Sequence, residues 1–232
     1  MQAKDIMNTA VVTISPTSGI ADAARVLTEH HISALPVVDA AGKLVGIVSE
    51  GDFLRRIEES EGKTHGSWWL MALADPGQEA AHYVKAHGRT VADVMTEKVV
   101  TVGEDTSVPD IAHTLEAKRI KRVPVVRDGK VVGIVSRADL LRAVAARRTS
   151  PGIPVSADDE TIREAVLTKL RGMAWAPLTR INIVVTDGVV SFWGFVDDPE
   201  LARAMKVAAE EVPGVKSVEM NISATPAFGW AV

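Results

Sequence analysis

Residues 42–52 read Gly42-Lys43-Leu44-Val45-Gly46-Ile47-Val48-Ser49-Glu50-Gly51-Asp52, and residues 129–139 read Gly129-Lys130-Val131-Val132-Gly133-Ile134-Val135-Ser136-Arg137-Ala138-Asp139. The two stretches are copies of one pattern, and a repeat of this kind decides architecture. In each, a glycine turn leads into a β-branched apolar run that ends at a serine, with an acid three residues further on. Such runs suit strands, and Ser-x-x-Asp suits the first turn of a helix. Each copy therefore predicts a strand that runs directly into a helix.

The match continues on both sides. Asp5-Ile6-Met7 recurs as Asp93-Val94-Met95, Val11-Val12-Thr13 as Val99-Val100-Thr101, and Leu35-Pro36-Val37-Val38 as Val123-Pro124-Val125-Val126. Each unit opens with a β-branched strand ending at Thr13 or Thr101. Next comes a Thr/Ser-rich cap region (Thr17, Ser18; Thr106, Ser107) and a helix with apolar residues at helical spacing (Ile20, Ala23, Ala24, Leu27; Val108, Ile111, Ala112, Leu115). Two strands then meet at a tight turn, Ala41-Gly42 or Asp128-Gly129, before the second helix. The order is β-α-β-β-α, twice. A sheet this small cannot cover both faces alone, so the copies are expected to pack sheet to sheet about a pseudo-twofold axis.

On the paired Asp-Ile/Val-Met openings, the Leu/Val-Pro-Val-Val strands and the Gly-Ile-Val-Ser-x-x-Asp segments, residues 1–148 closely resemble a tandem pair of CBS domains, the Bateman module. The expected boundaries are 1–60 for the first repeat, 61–90 for a helical insert containing Trp68-Trp69, and 91–148 for the second repeat. The breaker-rich stretch at 149–155 reads as a linker.

Beyond the linker, Asp158-Asp159 reads as a helix cap ahead of Ile162, Val166, Leu167 and Leu170. Ile181–Val185 and Val189–Val196 flank the hairpin turn Asp187-Gly188, Asp198-Pro199 opens another helix, and Val215–Ile222 completes the sheet. The order α-β-β-α-β, with Asp-Gly-Val-Val, Gly194 and Val-Pro-Gly-Val-Lys-Ser-Val, resembles a BON domain over 156–223, leaving 224–232 as a tail. Gly194 reads as a packing or bulge glycine. The expected fold class is thus α/β plus α+β.

The strand-to-helix junctions carry the chemistry. A helix N-terminus offers backbone N–H groups and a positive dipole end to an anion. Ser49 and Ser136 add a hydroxyl there, and Asp52 and Asp139 offer carboxylates suited to a vicinal diol such as ribose. Ser-x-x-Asp is also a plain capping arrangement, and the two roles are compatible. The CBS resemblance implies an adenosine nucleotide of the AMP, ADP or ATP class, with phosphate and ribose on these residues and the base among residues of the strand starts. It thereby implicates Thr13, Ala34, Leu35, Ser49 and Asp52 in one copy, and Thr101, Lys121, Arg122, Val123, Pro124, Ser136 and Asp139 in the other. Arg122, with its planar fork of donors, replaces Ala34 and predicts tighter binding of phosphate-bearing ligands in the second copy.

Composition narrows the alternatives. The 232 residues contain no cysteine, which excludes disulfides and thiolate chemistry and suits a reducing compartment. The first ten residues lack a signal peptide's pattern, and a cytoplasmic location is expected. The net charge of −4 arises wholly in residues 151–232, whereas residues 118–148 hold ten basic side chains and two acids. That local excess calls for a small anion rather than a nucleic acid. The histidines lack metal-ligand spacing, and no nucleophile–base pair, P-loop or Gly-x-Gly-x-x-Gly is present, so neither metal nor catalytic residues are expected. The expectation is a non-enzymatic regulatory sensor that relays nucleotide binding to the BON domain or a protein partner. By resemblance it is a homodimer through the CBS module. The alternative is a membrane- or envelope-associated structural protein using the BON domain, a lipid partner and Trp68-Trp69.

Overall fold

The computed structural model describes residues 1–60, 83–85, 87–146 and 157–224. Trp68-Trp69 and most of the 61–90 insert lie outside the described residues, as do the 149–155 linker and the tail beyond 224. In chain order the elements are α1 (Ala3–Ile6), α2 (Ile20–Glu29), β1 (Ala34–Val38), β2 (Leu44–Ser49) and α3 (Glu50–Ser60). They continue with α4 (Val91–Val94), α5 (Val108–Ala117), β3 (Arg122–Arg127), β4 (Lys130–Ser136) and α6 (Arg137–Ala146). The C-terminal region adds α7 (Ala157–Arg171), β5 (Ile181–Thr186), β6 (Val189–Val196), α8 (Pro199–Glu210) and β7 (Ser217–Ala224).

The strands expected to end at Thr13 and Thr101 do not form. Each shrinks to one parallel bridge, Ile14 with Val37 and Val102 with Val125. Ile14 N–H donates to Pro36 O at 3.1 Å, and Val38 N–H donates to Ile14 O at 2.9 Å. The next ladder bond towards Val12 would need an N–H on Pro36, and proline has none. Pro124 stops the second copy in the same way.

The two hairpins also differ. Asp128 and Gly129 both adopt positive φ, 53° and 77°, as a two-residue turn requires. In the first copy the expected Ala41-Gly42 turn is instead a longer loop. Asp39 Oδ1 accepts from Ala41 N–H and Lys43 N–H, both at 2.9 Å, and the β1–β2 register shifts between Val37 and Val38. The one extra residue is absorbed there. The helix caps differ too: Ser107 Oγ accepts from Asp110 N–H, whereas α2 begins at Gly19 with no side-chain cap.

The chain divides into two compact units that are not contiguous in sequence. One comprises Val12–Val100 with Gly129–Val131; the other comprises Met1–Val11, Thr101–Asp128 and Val132–Val232. Each repeat's opening segment therefore belongs with the sheet of the other repeat. Met95 lies against Gly46, where a Cβ would come within 2.4 Å of its Sδ, and Met7 lies against Gly133 in the same manner. Ile47 and Thr96 exchange backbone hydrogen bonds in one unit, as Asn8 and Ile134 do in the other. In the first unit Ala23, Leu27, Leu35, Val37, Val48, Val91 and Val94 form the core.

The C-terminal sheet has the order β5-β6-β7, with β5–β6 antiparallel and β6–β7 parallel, so the observed order is the expected α-β-β-α-β. Its core gathers Val166, Leu170, Ile183, Phe192 and Met205 under α7 and α8. Asp158 and Asp159 stand in the first turn of α7 rather than ahead of it, and Asp159 reaches across to the β5–β6 turn, accepting from Asp187 N–H at 3.0 Å and Gly188 N–H at 2.7 Å. Gly194 has φ 147°, and a Cβ there would come 2.1 Å from Arg180 O, so its role is packing.

Candidate functional site

At the β2–α3 junction Ser49 stands between the last strand residue bonds and the first helical turn. Its N–H and its hydroxyl both donate to Asp52 Oδ2 at 2.8 Å, and the Arg55 guanidinium donates to Asp52 Oδ1. Glu50 N–H is taken by Ser33 O at 3.2 Å. The β4–α6 junction repeats this arrangement. Ser136 N–H and Oγ–H donate to Asp139 Oδ2 at 2.7 Å, Arg142 donates to Asp139 Oδ1 at 2.9 Å, and Arg137 N–H is taken by Lys121 O at 3.1 Å. Asp139 N–H returns a 3.4 Å bond to Ser136 Oγ, completing a capping box. Both Ser-x-x-Asp motifs therefore satisfy part of the helix N-terminus that the sequence suggested was open to an anion.

Ala34 is paired directly opposite Ser49 across β1–β2. Thr13 is exposed and precedes Ile14, which bonds to Pro36; Thr101 is exposed in the matching place beside Val102 and Pro124. Leu35 and Val123 are fully buried and Pro124 is also buried, so these side chains belong to the core. Lys121 is exposed, and Arg122 is half-buried at the start of β3 with a partner of its own.

The second junction contains a residue that sequence reading missed. Asn182 of β5 donates from Nδ2 to Asp139 Oδ1 at 2.6 Å and to Ile6 O at 2.8 Å, and its Oδ1 accepts from Ile183 N–H at 2.7 Å. It is 3% exposed, and Asp139 is 5% exposed. Arg163 of α7, also buried, donates to Met7 O at 2.7 Å and Ile183 O at 2.9 Å, and burial pulls its guanidinium pKa down to about 10. Asn8 Nδ2 faces Leu178 O, Thr179 O and Ile181 O at 3.3–3.4 Å. The available signal was a lone asparagine between Ile181 and Ile183. A polar residue facing away from its own domain's core, in a strand otherwise apolar on both faces, needs a partner outside that domain.

Among the described residues no group of three or more His, Asp or Glu side chains could hold a metal, and no helix is long and apolar enough to cross a membrane.

Comparison with known proteins bears on this geometry. The CBS domain model matches residues 3–59 and 91–146, and the BON domain model matches 158–226. The chain is 35% identical over 137 residues to the chloroplast CBS domain-containing protein CBSX1 of Arabidopsis thaliana, a match that spans only 57% of that protein. It is 34% identical over 159 residues to the uncharacterized protein MJ1426 of Methanocaldococcus jannaschii, covering 62% of this chain and 91% of that one. The crystal structure of CBSX2, also from Arabidopsis thaliana, in complex with AMP is similar over 62% of this chain and 96% of its own, with a TM-score of 0.53 and 29% identity. The CBS domain pair of protein MJ0100, solved with 5′-methylthioadenosine and S-adenosyl-L-methionine, is similar over 64% of this chain and 98% of its own, with a TM-score of 0.50 and 29% identity.

Proposed function

Because this chain belongs to the CBS-domain proteins and carries a BON domain after its CBS pair, we propose that it is a regulatory protein whose Ser-x-x-Asp junctions bind an adenosine ligand. The observation that carries this reading is the state of Asp52. A carboxylate oxygen has two acceptor positions, and Asp52 Oδ1 uses one of them, for Arg55. A ribose hydroxyl can take the other, with Ser49 and the first turn of α3 beside it. The similar CBS structures solved with AMP, 5′-methylthioadenosine and S-adenosyl-L-methionine support adenosine as the shared element. Thr13, Ala34 and the Leu35 backbone are assigned to the base side of this site; Thr101, Lys121, Arg122, Val123, Pro124, Ser136 and Asp139 are assigned to its counterpart.

The activity is binding rather than turnover, in a reducing cytoplasm. The C-terminal domain reads the bound state, because it shares a compact unit with the second junction. Thermal-shift and calorimetric titration with AMP, ADP, ATP, 5′-methylthioadenosine and S-adenosyl-L-methionine tests the reading. A ligand at 100 times its Kd adds about 2.7 kcal/mol of stability. We expect that gain with at least one of these ligands, its loss in an Asp52→Ala, Asp139→Ala double variant, and no conversion of the ligand. Absence of binding by all five would overturn the proposal.

A further inference from the structure

We infer that the second junction is a latch for the C-terminal domain: the Asp139 carboxylate holds either Asn182 or a ligand hydroxyl, never both. This deepens the adenosine reading above and rests on it. The two junctions differ at the aspartate Oδ1. In both, the Oδ2 of the aspartate is filled by the serine N–H and O–H. Asp52 Oδ1 then takes Arg55 alone, whereas Asp139 Oδ1 takes both Arg142 at 2.9 Å and Asn182 at 2.6 Å. With two lone pairs per oxygen, Asp139 has no acceptor position left. The first junction can accept a ribose hydroxyl as it stands; the second must first lose a donor.

Arg142 is an i,i+3 neighbour on the same helix, as Arg55 is of Asp52, so the donor special to the second junction is Asn182. Asn182 cannot swing away alone. Its amide is also bonded to Ile6 O and Ile183 N–H, in a site too dry for water to replace those partners. The strand around it is pinned by Arg163, which ties Ile183 O to Met7 O, and by Asn8 against the carbonyls of residues 178, 179 and 181. Freeing Asp139 therefore means lifting β5 from residues 1–9. By linkage, whatever factor docking costs the ligand, the ligand costs docking. The basic residues around Arg122 draw an anion to this junction, and the latch opposes it. Ligand concentration is thereby converted into release of the C-terminal domain.

The test uses the full chain with AMP as probe. Calorimetry is expected to show one site in the wild type that Asp52→Ala removes. In Asn182→Ala a second site is expected to strengthen at least tenfold, and Asp139→Ala should remove it. Hydrogen exchange on the wild-type chain needs no variant: AMP at concentrations that fill the second site should speed exchange in residues 1–9 and 181–186. Two sites of equal affinity in the wild type without that change overturn the latch, as does a second site that Asn182→Ala leaves unmoved. In both cases Asp52-dependent binding still stands. Absence of AMP binding in every variant overturns the latch, and the adenosine reading falls with it only if ADP, ATP, 5′-methylthioadenosine and S-adenosyl-L-methionine also fail to bind.

Discussion

Met7 packs against Gly133, so closely that a Cβ on the glycine would lie 2.3 Å from the methionine Sδ. Residues 126 positions apart in sequence thus share one contact, and the backbone carbonyl of the same methionine receives Arg163. Gly133→Ala overpacks this contact and is expected to cost about 1–3 kcal/mol, read as a lower urea midpoint at unchanged slope. Met7→Ala on its own opens a cavity, but in combination it makes room for the new methyl. The double variant should therefore be less destabilised than the sum of the singles. Additive effects would show that Met7 does not bear on Gly133 in solution.

Asp159 holds the β5–β6 turn through the N–H groups of Asp187 and Gly188. Hydrogen bonds to a charged acceptor contribute about 1.5–3 kcal/mol each. Asp159→Ala should cost about 3 kcal/mol or more, and Asp159→Asn should retain part of this with one good acceptor. Asp158→Ala, at the neighbouring exposed position, should change stability by less than about 0.5 kcal/mol. Equal effects at 158 and 159 would show that the turn does not depend on Asp159.

Lys4 links residues 1–11 to the C-terminal domain through Glu160 at 3.1 Å and to Asp105 at 3.3 Å. The hydrogen bond that Lys4 donates to Glu160 leads the forces that raise its pKa above the ordinary 10.5. A base whose folded pKa is raised contributes stability that is complete below the unfolded value and is lost as pH climbs through the folded one. Lys4→Met should therefore be less stable than wild type at pH 8 by under about 1 kcal/mol, with the gap closing above pH 10.5 and in 1 M salt. A gap that persists under both conditions would point to packing of the lysine stem instead.

Leu54 and Ile57 on α3 are 61% and 56% exposed, and their repeat partners Leu141 and Val144 on α6 are 71% and 68% exposed. Each pair lies at i,i+3 on one helix face, and bulky apolar pairs repeated in this way suit a self-complementary interface. The expected homodimer should appear by light scattering at micromolar concentration. Leu54→Lys together with Leu141→Lys should give a folded monomer with unchanged far-UV circular dichroism. A wild-type monomer would remove dimerisation from the functional scheme.

Much of the architecture was legible along the chain, because its determinants are local. The repeated Gly-Ile-Val-Ser-x-x-Asp segments announced the strand-to-helix junctions, and Asp128-Gly129 and Asp187-Gly188 announced their turns through the positive φ that these dipeptides tolerate. The Ser–Asp pairing at each junction spans three residues, so it too could be read before any tertiary contact was known. Even the missing first strands have a local cause, in Pro36 and Pro124, though it acts only once the parallel neighbour is identified. The exchange of opening segments was not visible, because Asp-Ile-Met and Asp-Val-Met have the same shape and fit either sheet. Nor was the closure of Asp139 by Asn182, 43 residues away, since periodicity reports which face of an element is apolar and says nothing of which distant polar group completes it. Short-range order follows from backbone sterics and spacing; the match of one buried amide to one carboxylate exists only after both surfaces have folded and met.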